Sequence, residues 1–495
     1  MSDGSDVLAT TTAGVVNGRR SGATAVFRGV PYGAPTGGDR RFLPATPPAP
    51  WSGVLDAFAN GPACPQPASP LMSSDAVPGA DSDAPGEDCL VMNLWTPALD
   101  DAARPVLVWF HGGGYALGAG TSAAYDGERL ATRGDAVIVA LNHRIGPLGY
   151  CHLADLGGEQ YAGSGNAGNL DLVLALEWVR DNIAHFGGDP GNVTIFGESG
   201  GGRKVTKLLT MPAARGLFHR AIIQSGAQPY AMTAEEGTAA ASKLLTRVGL
   251  TDRQLDQLQR LPVDQILGEG RAAFAFTPVV DGVTLPMHPI DAIAAGQSAD
   301  VPVIVGTTRD EALFFLRAQP KMDDDALRAN LAAQLGDDAE HLLAAYDASR
   351  PGARAVETYV AALTDRDRRI PAIRLADALD AAHQSNVYMY EFSYAPDGGK
   401  WAPHACDLEY TFDRCAITRP DDAEANHVAD QFASAWLAFA RTGDPNHDGM
   451  ATWPVYDAQR RATMIFGAEA AAVDDLRGEE RRAWDGIAVT GRLAM

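Results

Sequence analysis

The chain has 495 residues, of which 46% are hydrophobic, and a formal net charge of −22 from 40 basic and 62 acidic residues. This length and apolar content exclude a disordered chain and predict a sizeable core, in one large domain or in two to three ordinary ones. The negative charge argues against nucleic acid and acidic membranes as partners, because both are bound through Lys and Arg. Charge alone favours neutral or cationic small ligands.

The cysteines and the apolar runs exclude several further classes. The five cysteines show no C-x-x-C or other zinc spacing, so the sequence predicts neither a metal site nor a disulfide scaffold. The first residues contain no basic stretch followed by an apolar one, and the longest apolar runs are far shorter than the roughly 18–20 residues that span a bilayer. We therefore expect no signal peptide, no membrane span and a cytoplasmic location.

Along the chain, short apolar runs rich in β-branched residues alternate with turn residues and helical patterns. The predicted strands are residues 106–110, 136–141, 193–196, 221–224, 301–305 and 387–392. Because these runs are apolar throughout, they are typical of a sheet that is covered on both faces. Apolar residues at helical spacing predict helices over residues 169–185 and 424–441. The fold class is therefore α/β.

Two further segments differ from this pattern. Residues 233–271 and 320–382 are rich in Ala, Leu, Asp and Arg, with helical spacing and no strand signal. They interrupt the series of strands and do not separate two complete cores. We interpret them as helical insertions that form a lid or substrate-binding cap over a single catalytic domain spanning residues 1–495.

The strongest local signal is the sequence Gly-Glu-Ser-Gly-Gly at residues 197–201, directly after the predicted strand 193–196. A G-x-S-x-G sequence at a strand-to-helix turn holds its serine in a strained elbow with the hydroxyl exposed. As a bare pattern it is weak in a chain with 52 glycines, and the alternative is a glycine-rich helix start with a bystander serine. Ser199 is the candidate nucleophile.

A second signal is the sequence His-Gly-Gly-Gly-Tyr at residues 111–115, directly after the predicted strand 106–110. Consecutive glycines let backbone N–H groups converge on the point where the oxyanion of an acyl transfer develops. The alternative is a tight turn that serves only the topology. Two such motifs, each after a strand and in the expected order, favour a hydrolase.

A serine nucleophile needs a base within hydrogen-bond reach and an acid that orients the base. Of the eleven histidines, His404 lies in a loop after the last strong predicted strand, where the base of a chain-ordered triad belongs. Asp310 and Glu311 both follow the predicted strand 301–305, and the residues alone do not choose between them. The alternative for this pair is a solvated position beside Arg309.

Beyond these motifs, the chain resembles the type-B carboxylesterase and cholinesterase family of α/β-hydrolases over nearly its whole length. The motifs that carry the resemblance are residues 27–32, 87–94, 142–149, 186–201, 441–446 and 453–454. The resemblance implies an α/β-hydrolase fold, with a mostly parallel central sheet, helices on both faces and helical cap insertions. It also implies a triad of Ser199, His404 and Glu311, because the family acid is usually a glutamate after a Gly-Thr strand end.

The resemblance assigns further residues around the triad. The implied N–H donors of an oxyanion hole are those of Gly113, Gly114 and Gly200. Ser225 matches a serine near the triad, Glu198 matches an acidic residue that favours positive charge in the gorge, and Tyr115 is placed near the substrate. Cys64 and Cys89 match the first disulfide of the family, although a pair without a signal peptide can stay reduced.

Two features depart from the family. The residue after the nucleophile is Gly200, where the family usually has Ala, and the elbow helix holds Arg203 and Lys204 where the family has a Ser near its start. Gly200 still has an N–H group, so its oxyanion role is kept. The stretch from Cys64 to Cys89 lacks the tryptophan with which cholinesterases bind choline, so choline esters are not expected as substrates.

Together these patterns predict a serine carboxylesterase that forms an acyl-enzyme on neutral small-molecule esters and needs no cofactor and no metal. The three-glycine turn resembles that of hydrolases that accept bulky alcohol groups. The alternatives are a carbamate or amide hydrolase of the same fold and a catalytically silent, cholinesterase-like binding protein. We expect a monomer or a homodimer.

Overall fold

The structure is a computed structural model that describes residues 4–69, 84–316, 322–382, 384–395 and 398–489. The strands are β1 (Asp6–Thr10), β2 (Val15–Ser21), β3 (Thr24–Pro31), β4 (Val54–Asp56), β5 (Val91–Thr96), β6 (Arg104–Phe110), β7 (Val137–Leu141), β8 (Gly188–Glu198), β9 (Arg220–Gln224), β10 (Met232–Thr233), β11 (Val279–Val280), β12 (Val303–Thr308), β13 (Val387–Phe392), β14 (Thr463–Phe466) and β15 (Ala470–Val473).

The helices lie mainly between the strands of the second half of this series. They are α1 (Glu128–Gly134), α2 (Gly146–Tyr150), α3 (Ala154–Gly157), α4 (Ala167–Asn182), α5 (Gly200–Leu208), α6 (Ala234–Arg247), α7 (Leu255–Arg260), α8 (Val263–Leu267), α9 (Pro289–Ala294), α10 (Ala312–Phe315), α11 (Asp324–Leu335), α12 (Ala339–Ser349), α13 (Ala355–Thr364), α14 (Ile370–Ala382), α15 (Leu408–Thr411), α16 (Cys415–Thr418), α17 (Ala423–Thr442) and α18 (Gly478–Ala483). A π-helical turn, Asp365–Arg369, joins α13 to α14.

One sheet of thirteen strands runs through the molecule in the order β1-β2-β3-β5-β7-β6-β8-β9-β12-β13-β14-β15, with β4 beside β2. From β7 to β14 every neighbouring pair is parallel, and antiparallel strands extend the sheet at both edges. The carboxyl ends of the parallel strands therefore meet at one edge of the sheet. In open α/β sheets this edge is where ligands bind.

The strand β6 shows why the central strands are apolar throughout. Val106, Val108 and Phe110 pack on one face of the sheet in a core that includes α4, and Leu107 and Trp109 pack on the other face with α1 and α17. Because both sets of alternate residues are buried, neither face of the strand needs polar side chains. The sheet is mostly parallel and covered by helices on both faces, which confirms the predicted fold class.

The predicted elements occur in the structure with shifted ends. The prediction 387–392 coincides with β13, and the helices predicted at 169–185 and 424–441 are α4, continued by the 3-10 turn Ile183–Phe186, and α17. The strand β8 starts earlier than predicted because Gly188 pairs with Arg104 of β6. The strand β12 ends later because its last residues pair with β13 as far as Phe392.

The two segments predicted as insertions are mainly helical. Residues 233–271 contain α6, α7 and α8, and the described part of 320–382 contains α11 to α14; residues 320 and 321 lie outside the described ranges. For Thr233, in the first segment, the prediction of no strand was wrong. Thr233 ends β10 and pairs in parallel with Val280 of β11. No helix in the described ranges is long and apolar enough to span a bilayer.

Candidate active site

Ser199 lies at the turn between β8 and α5. Its backbone has φ 54° and ψ −117°, a conformation that strains a residue other than glycine. The Ser199 N–H donates to the carbonyl of Gln224 at the end of β9, over 2.8 Å, and holds the turn. A Cβ at Gly201 would come within 1.9 Å of the Phe110 oxygen, so the chain needs a glycine at that position. The structure therefore has a strained elbow at the serine.

His404 connects Ser199 to Glu311. Its Nε2 lies 2.8 Å from Ser199 Oγ, and its Nδ1 is hydrogen-bonded to Glu311 Oε2. The other Glu311 oxygen accepts the N–H of Thr308 over 2.9 Å, which fixes the carboxylate at the end of β12. A proton on Nδ1 leaves Nε2 free to accept the hydroxyl proton of Ser199. The three residues thus form a continuous hydrogen-bonded chain across three strand ends.

Asp310 has a different place from its neighbour Glu311. Its N–H donates to the Ala402 carbonyl over 2.9 Å, and its carboxylate accepts the Ala402 N–H over 2.8 Å. The carboxylate also forms an ion pair with Arg309, at 2.8 Å. Asp310 therefore attaches the end of β12 to the loop that carries His404, and Glu311 is the carboxylate that reaches the imidazole.

Burial and neighbouring charges set the protonation of this pair. Burial lowers the pKa of His404 below its ordinary value against the attraction of Glu311, and the charges of Arg368 and Arg203 lower it further. Burial acts to raise the pKa of Glu311, but His404 and Arg368 outweigh it, so this pKa lies below the ordinary value. At neutral pH the pair is a neutral imidazole and a carboxylate, the state in which His404 can accept a proton.

Gly113, Gly114 and Gly200 lie together beside Ser199. Gly113 and Gly114 have φ values of 84° and 66°, which favour glycine. A Cβ at Gly112 would lie 3.5 Å from the Ser199 Cβ, which places this turn against the serine. Within the described ranges, the N–H groups of Gly113, Gly114 and Gly200 donate to no protein acceptor. They are therefore available to an oxygen atom bound at this point.

Glu198 lies on the other side of the imidazole from Glu311. Its Oε1 is 3.2 Å from His404 Nε2 and has no hydrogen-bond donor in the described part of the chain. Burial raises the pKa of Glu198 well above its ordinary value, and the carboxylates of Asp407 and Glu311 add to this rise. Asp407 is itself fixed by Gln224 Nε2 at 3.0 Å and by the Tyr390 hydroxyl at 3.1 Å.

The remaining predicted residues border the triad at greater distance. Ser225 donates its N–H to the Gly306 carbonyl over 2.8 Å. Its hydroxyl makes no hydrogen bond of good geometry in the described ranges, but it is close enough to contribute to the lowered pKa of Glu311. The Tyr115 hydroxyl donates to Gln228 Oε1 over 3.4 Å.

The disulfide between Cys64 and Cys89 is not formed in the structure. Both cysteines are buried and free, and a hydrogen bond joins their side chains. That hydrogen bond, together with burial, raises the pKa of Cys89 well above its ordinary value. Cys64 Sγ also accepts the N–H of Ile145 over 3.4 Å. The pair is thus a buried thiol contact.

Three buried cations near the triad were not predicted as site residues. Lys204 Nζ donates to the His111 carbonyl over 3.0 Å, and burial, together with the charge of Arg203, lowers the pKa of Lys204 to about 7. Arg203 and Lys204 had a signal in the sequence, because they replace the family residues of the elbow helix. Arg368 had none, because the charged run at residues 365–369 is typical of a solvated face.

A serine elbow at the end of a central strand in a mostly parallel sheet is the feature that defines the α/β-hydrolases, and this protein has their fold. The chain belongs to the carboxylesterase family, which it matches over residues 5–484. It is a carboxylic ester hydrolase.

Several proteins of this family are similar to the chain over nearly their whole length. The para-nitrobenzyl esterase of Bacillus subtilis is 37% identical over 96% of this chain and 98% of its own. The phenmedipham hydrolase of Pseudarthrobacter oxydans is 37% identical over 94% of this chain and 96% of its own. The crystal structure of a Geobacillus stearothermophilus carboxylesterase superposes with a TM-score of 0.86, at 37% identity, over 96% of this chain and 99% of that one.

Proposed function

We propose that this esterase cleaves small-molecule carboxylic esters, neutral ones included, through a triad of Ser199, His404 and Glu311. The observation that supports the proposal is the pair of hydrogen bonds by which His404 joins the serine to the glutamate. Ser199 Oγ attacks the ester carbonyl while His404 Nε2 takes its proton. Glu311 holds the imidazole in the required tautomer and stabilises the imidazolium that forms.

The tetrahedral intermediate places a negative charge on the former carbonyl oxygen. The N–H groups of Gly113, Gly114 and Gly200 are free to receive that charge, and one such donor is worth about 3 kcal/mol in the transition state. His404 then gives its proton to the departing alcohol and leaves an acyl group on Ser199. Water, deprotonated by His404, releases the acid and restores the serine.

The test is a comparison of the enzyme with Ser199→Ala on 4-nitrophenyl butyrate. We expect kcat to fall by at least about a thousandfold, because no other group replaces the nucleophile. A fluorophosphonate should label the unsubstituted enzyme with one group per chain, at Ser199. A catalytically silent binding protein would show neither result, and a Ser199→Ala variant with near-normal turnover would contradict the triad.

The alcohol side of the substrate is a separate part of the proposal. Three successive glycines leave the turn at residues 112–114 without side chains, which supports the expectation that bulky alcohol groups fit there. Hydrolysis of tert-butyl acetate beside ethyl acetate tests it. Matched ester, carbamate and anilide substrates decide between esterase activity and the alternative of carbamate or amide hydrolysis.

We further propose that residues 233–271 and 320–382 form the cap of the substrate site. The second segment supplies Arg368, whose charge acts on His404, which supports its place at the site. A monomeric or homodimeric state and a cytoplasmic location stay predictions, to be checked by light scattering and by cell fractionation.

A further inference from the structure

Two arginines beside the triad have buried guanidinium nitrogens without a partner. Arg203 Nη2 and Arg368 Nε and Nη2 make no hydrogen bond within the part of the chain that the structure describes. In that part, the Arg368 side chain donates one hydrogen bond, from Nη1 to the Asp367 carbonyl, over 2.9 Å. The two residues are only 6% and 3% exposed.

Such an arrangement is unusual because a buried cation without a counter-ion is costly. Two other buried arginines, Arg144 and Arg369, do not share it. Arg144 binds both oxygens of Asp171, at 2.6 and 2.8 Å, and Arg369 does the same with Asp365. The free nitrogens of Arg203 and Arg368 therefore need a separate explanation.

Both guanidinium groups are close to the reacting centre. Arg203 lies one turn along α5 from Ser199, whose carbonyl accepts the Arg203 N–H over 3.0 Å. The Arg368 Cζ lies 5.6 Å from the centre of the Phe315 ring, and that ring lies 5.0 Å from the His404 ring. The charges of Arg203 and Arg368 also act on each other. Burial, together with the charge of Arg368, lowers the pKa of Arg203 to about 10, so Arg203 stays protonated at neutral pH.

Two of the carboxylates around them are already engaged. Glu311 binds His404 and the Thr308 N–H, and Asp367 binds Arg366 through both oxygens, at 2.6 and 2.8 Å. Glu198 Oε1 also has no donor in the described ranges; the charges of Arg368 and Arg203 act to lower the pKa of Glu198, but burial and the carboxylates of Asp407 and Glu311 outweigh them and raise it well above the ordinary value, which favours the neutral form. The two arginines are thus left with donors that no carboxylate of the described residues satisfies.

We propose that Arg203 and Arg368 bind a carboxylate group of the substrate, so that esters bearing a free carboxylate, such as half-esters of dicarboxylic acids, are preferred. The inference rests on the proposed function, since it concerns the substrate of the same site. A guanidinium fork matches the two oxygens of a carboxylate. The net charge of −22 predicts the opposite preference, but charges beyond about 8 Å are screened at physiological salt, so the two local cations decide.

The experiment measures the ratio of kcat/KM for an anionic ester and its neutral analogue on the same protein. On the acyl side, the 4-nitrophenyl half-ester of glutaric acid is compared with the same ester in which a primary amide replaces the carboxylate. On the alcohol side, 4-carboxyphenyl butyrate is compared with 4-carbamoylphenyl butyrate. The pair that shows the preference identifies the side on which the carboxylate lies.

We expect a preference of about tenfold to a hundredfold for the anionic ester in one of the two pairs. Arg203→Gln and Arg368→Gln should each remove most of this preference. A general loss of activity lowers kcat/KM for both esters of a pair equally, so it does not change their ratio. The matched control is Arg328→Gln on α11, where the exposed side chain binds Glu340; its ratio should stay as in the unsubstituted enzyme.

A second measurement needs no variant. Glutarate should inhibit hydrolysis of 4-nitrophenyl butyrate at concentrations at least tenfold lower than glutaramide. Turnover of the neutral esters without any carboxylate preference, or a preference that survives both substitutions, would overturn the inference and leave the esterase proposal standing. Absence of turnover on every ester would overturn the proposed function itself.

Discussion

Gly200 packs directly against the peptide of Gly114: an added Cβ would lie 2.1 Å from the Gly114 oxygen and 2.5 Å from its nitrogen. The family usually has Ala at this position, so the two glycines form a contact that the common family residue would break. Gly200→Ala should move apart two peptide groups that we propose as oxyanion donors. Since displacements of about 1 Å at a reacting centre cost roughly a hundredfold in rate, we expect kcat to fall tenfold to a hundredfold with KM little changed.

Steady-state kinetics on 4-nitrophenyl butyrate measure this effect. The melting temperature of the same variant is the control, because a stable variant with low kcat separates misplacement from unfolding. Unchanged kcat would show that the Gly114 turn yields to the methyl group and that its position does not limit catalysis.

Glu311 and Asp310 are adjacent in sequence but should differ sharply on substitution. Glu311→Gln removes the negative charge that stabilises the imidazolium, so we expect kcat to fall by about a hundredfold to ten-thousandfold. Asp310→Asn keeps a carbonyl oxygen that can accept the Ala402 N–H, so its kcat should stay within about tenfold. Parallel kinetics on one ester decide the matter, and the reverse order of losses would assign the triad acid to Asp310.

The residues of the triad could be predicted from the sequence more completely than the ends of the strands that carry them. Ser199 and the glycine turn have sequence motifs, and the choice of Glu311 came from resemblance. The ends of β8 and β12 could not be predicted, because Gly188 pairs with β6 and the residues after Val305 pair with β13. Such pairing depends on a strand distant in sequence.

The charges of the site were harder to predict than its nucleophile. Arg368 lies in a run of charged residues, and only the packed structure shows that its nitrogens are buried and that its guanidinium lies near the Phe315 ring, which packs on His404. The hydrogen bond of Lys204 to the His111 carbonyl likewise joins α5 to the turn after β6. The sequence alone does not show that a charged side chain is buried without a hydrogen-bond partner.

The acid side of the pH profile should depend on Arg368. His404 works as a base only when neutral, so kcat/KM for a neutral ester rises with pH through the pKa of His404. Because burial and the charges of Arg368 and Arg203 place this pKa below its ordinary value of 6.5, the midpoint of the rise should lie below pH 6.5. Arg368→Gln removes one of these charges, so its midpoint should move to higher pH.

The profile of Arg328→Gln, on α11 and paired with Glu340, gives the reference for this shift. A midpoint that stays in place or moves to lower pH in Arg368→Gln would show that the guanidinium does not act on the imidazole.

Lys204 should make the stability of the protein depend on pH. Burial holds its pKa at about 7, against an ordinary 10.5, so between these values the unfolded chain binds more protons than the folded one. Stability of the unsubstituted protein therefore rises with pH over this window, and the full cost of the buried ammonium is present below pH 7. Methionine has no such charge. Relative to the unsubstituted protein, Lys204→Met should thus have its most favourable urea midpoint at pH 6, and this advantage should shrink towards pH 10.

The same substitution also removes the donor that holds the His111 carbonyl at the start of the glycine turn, so we expect kcat to fall about tenfold at every pH. Urea titrations at pH 6 and pH 10 measure the stability effect, with Lys243→Met, an exposed lysine on α6, as the control that should show no such change between the two pH values. A difference between Lys204→Met and the unsubstituted protein that is equal at both pH values would mean that the ammonium is not desolvated in the folded state. The elbow helix would then hold Lys204 at no electrostatic cost, and the low pKa would not contribute to the stability of the site.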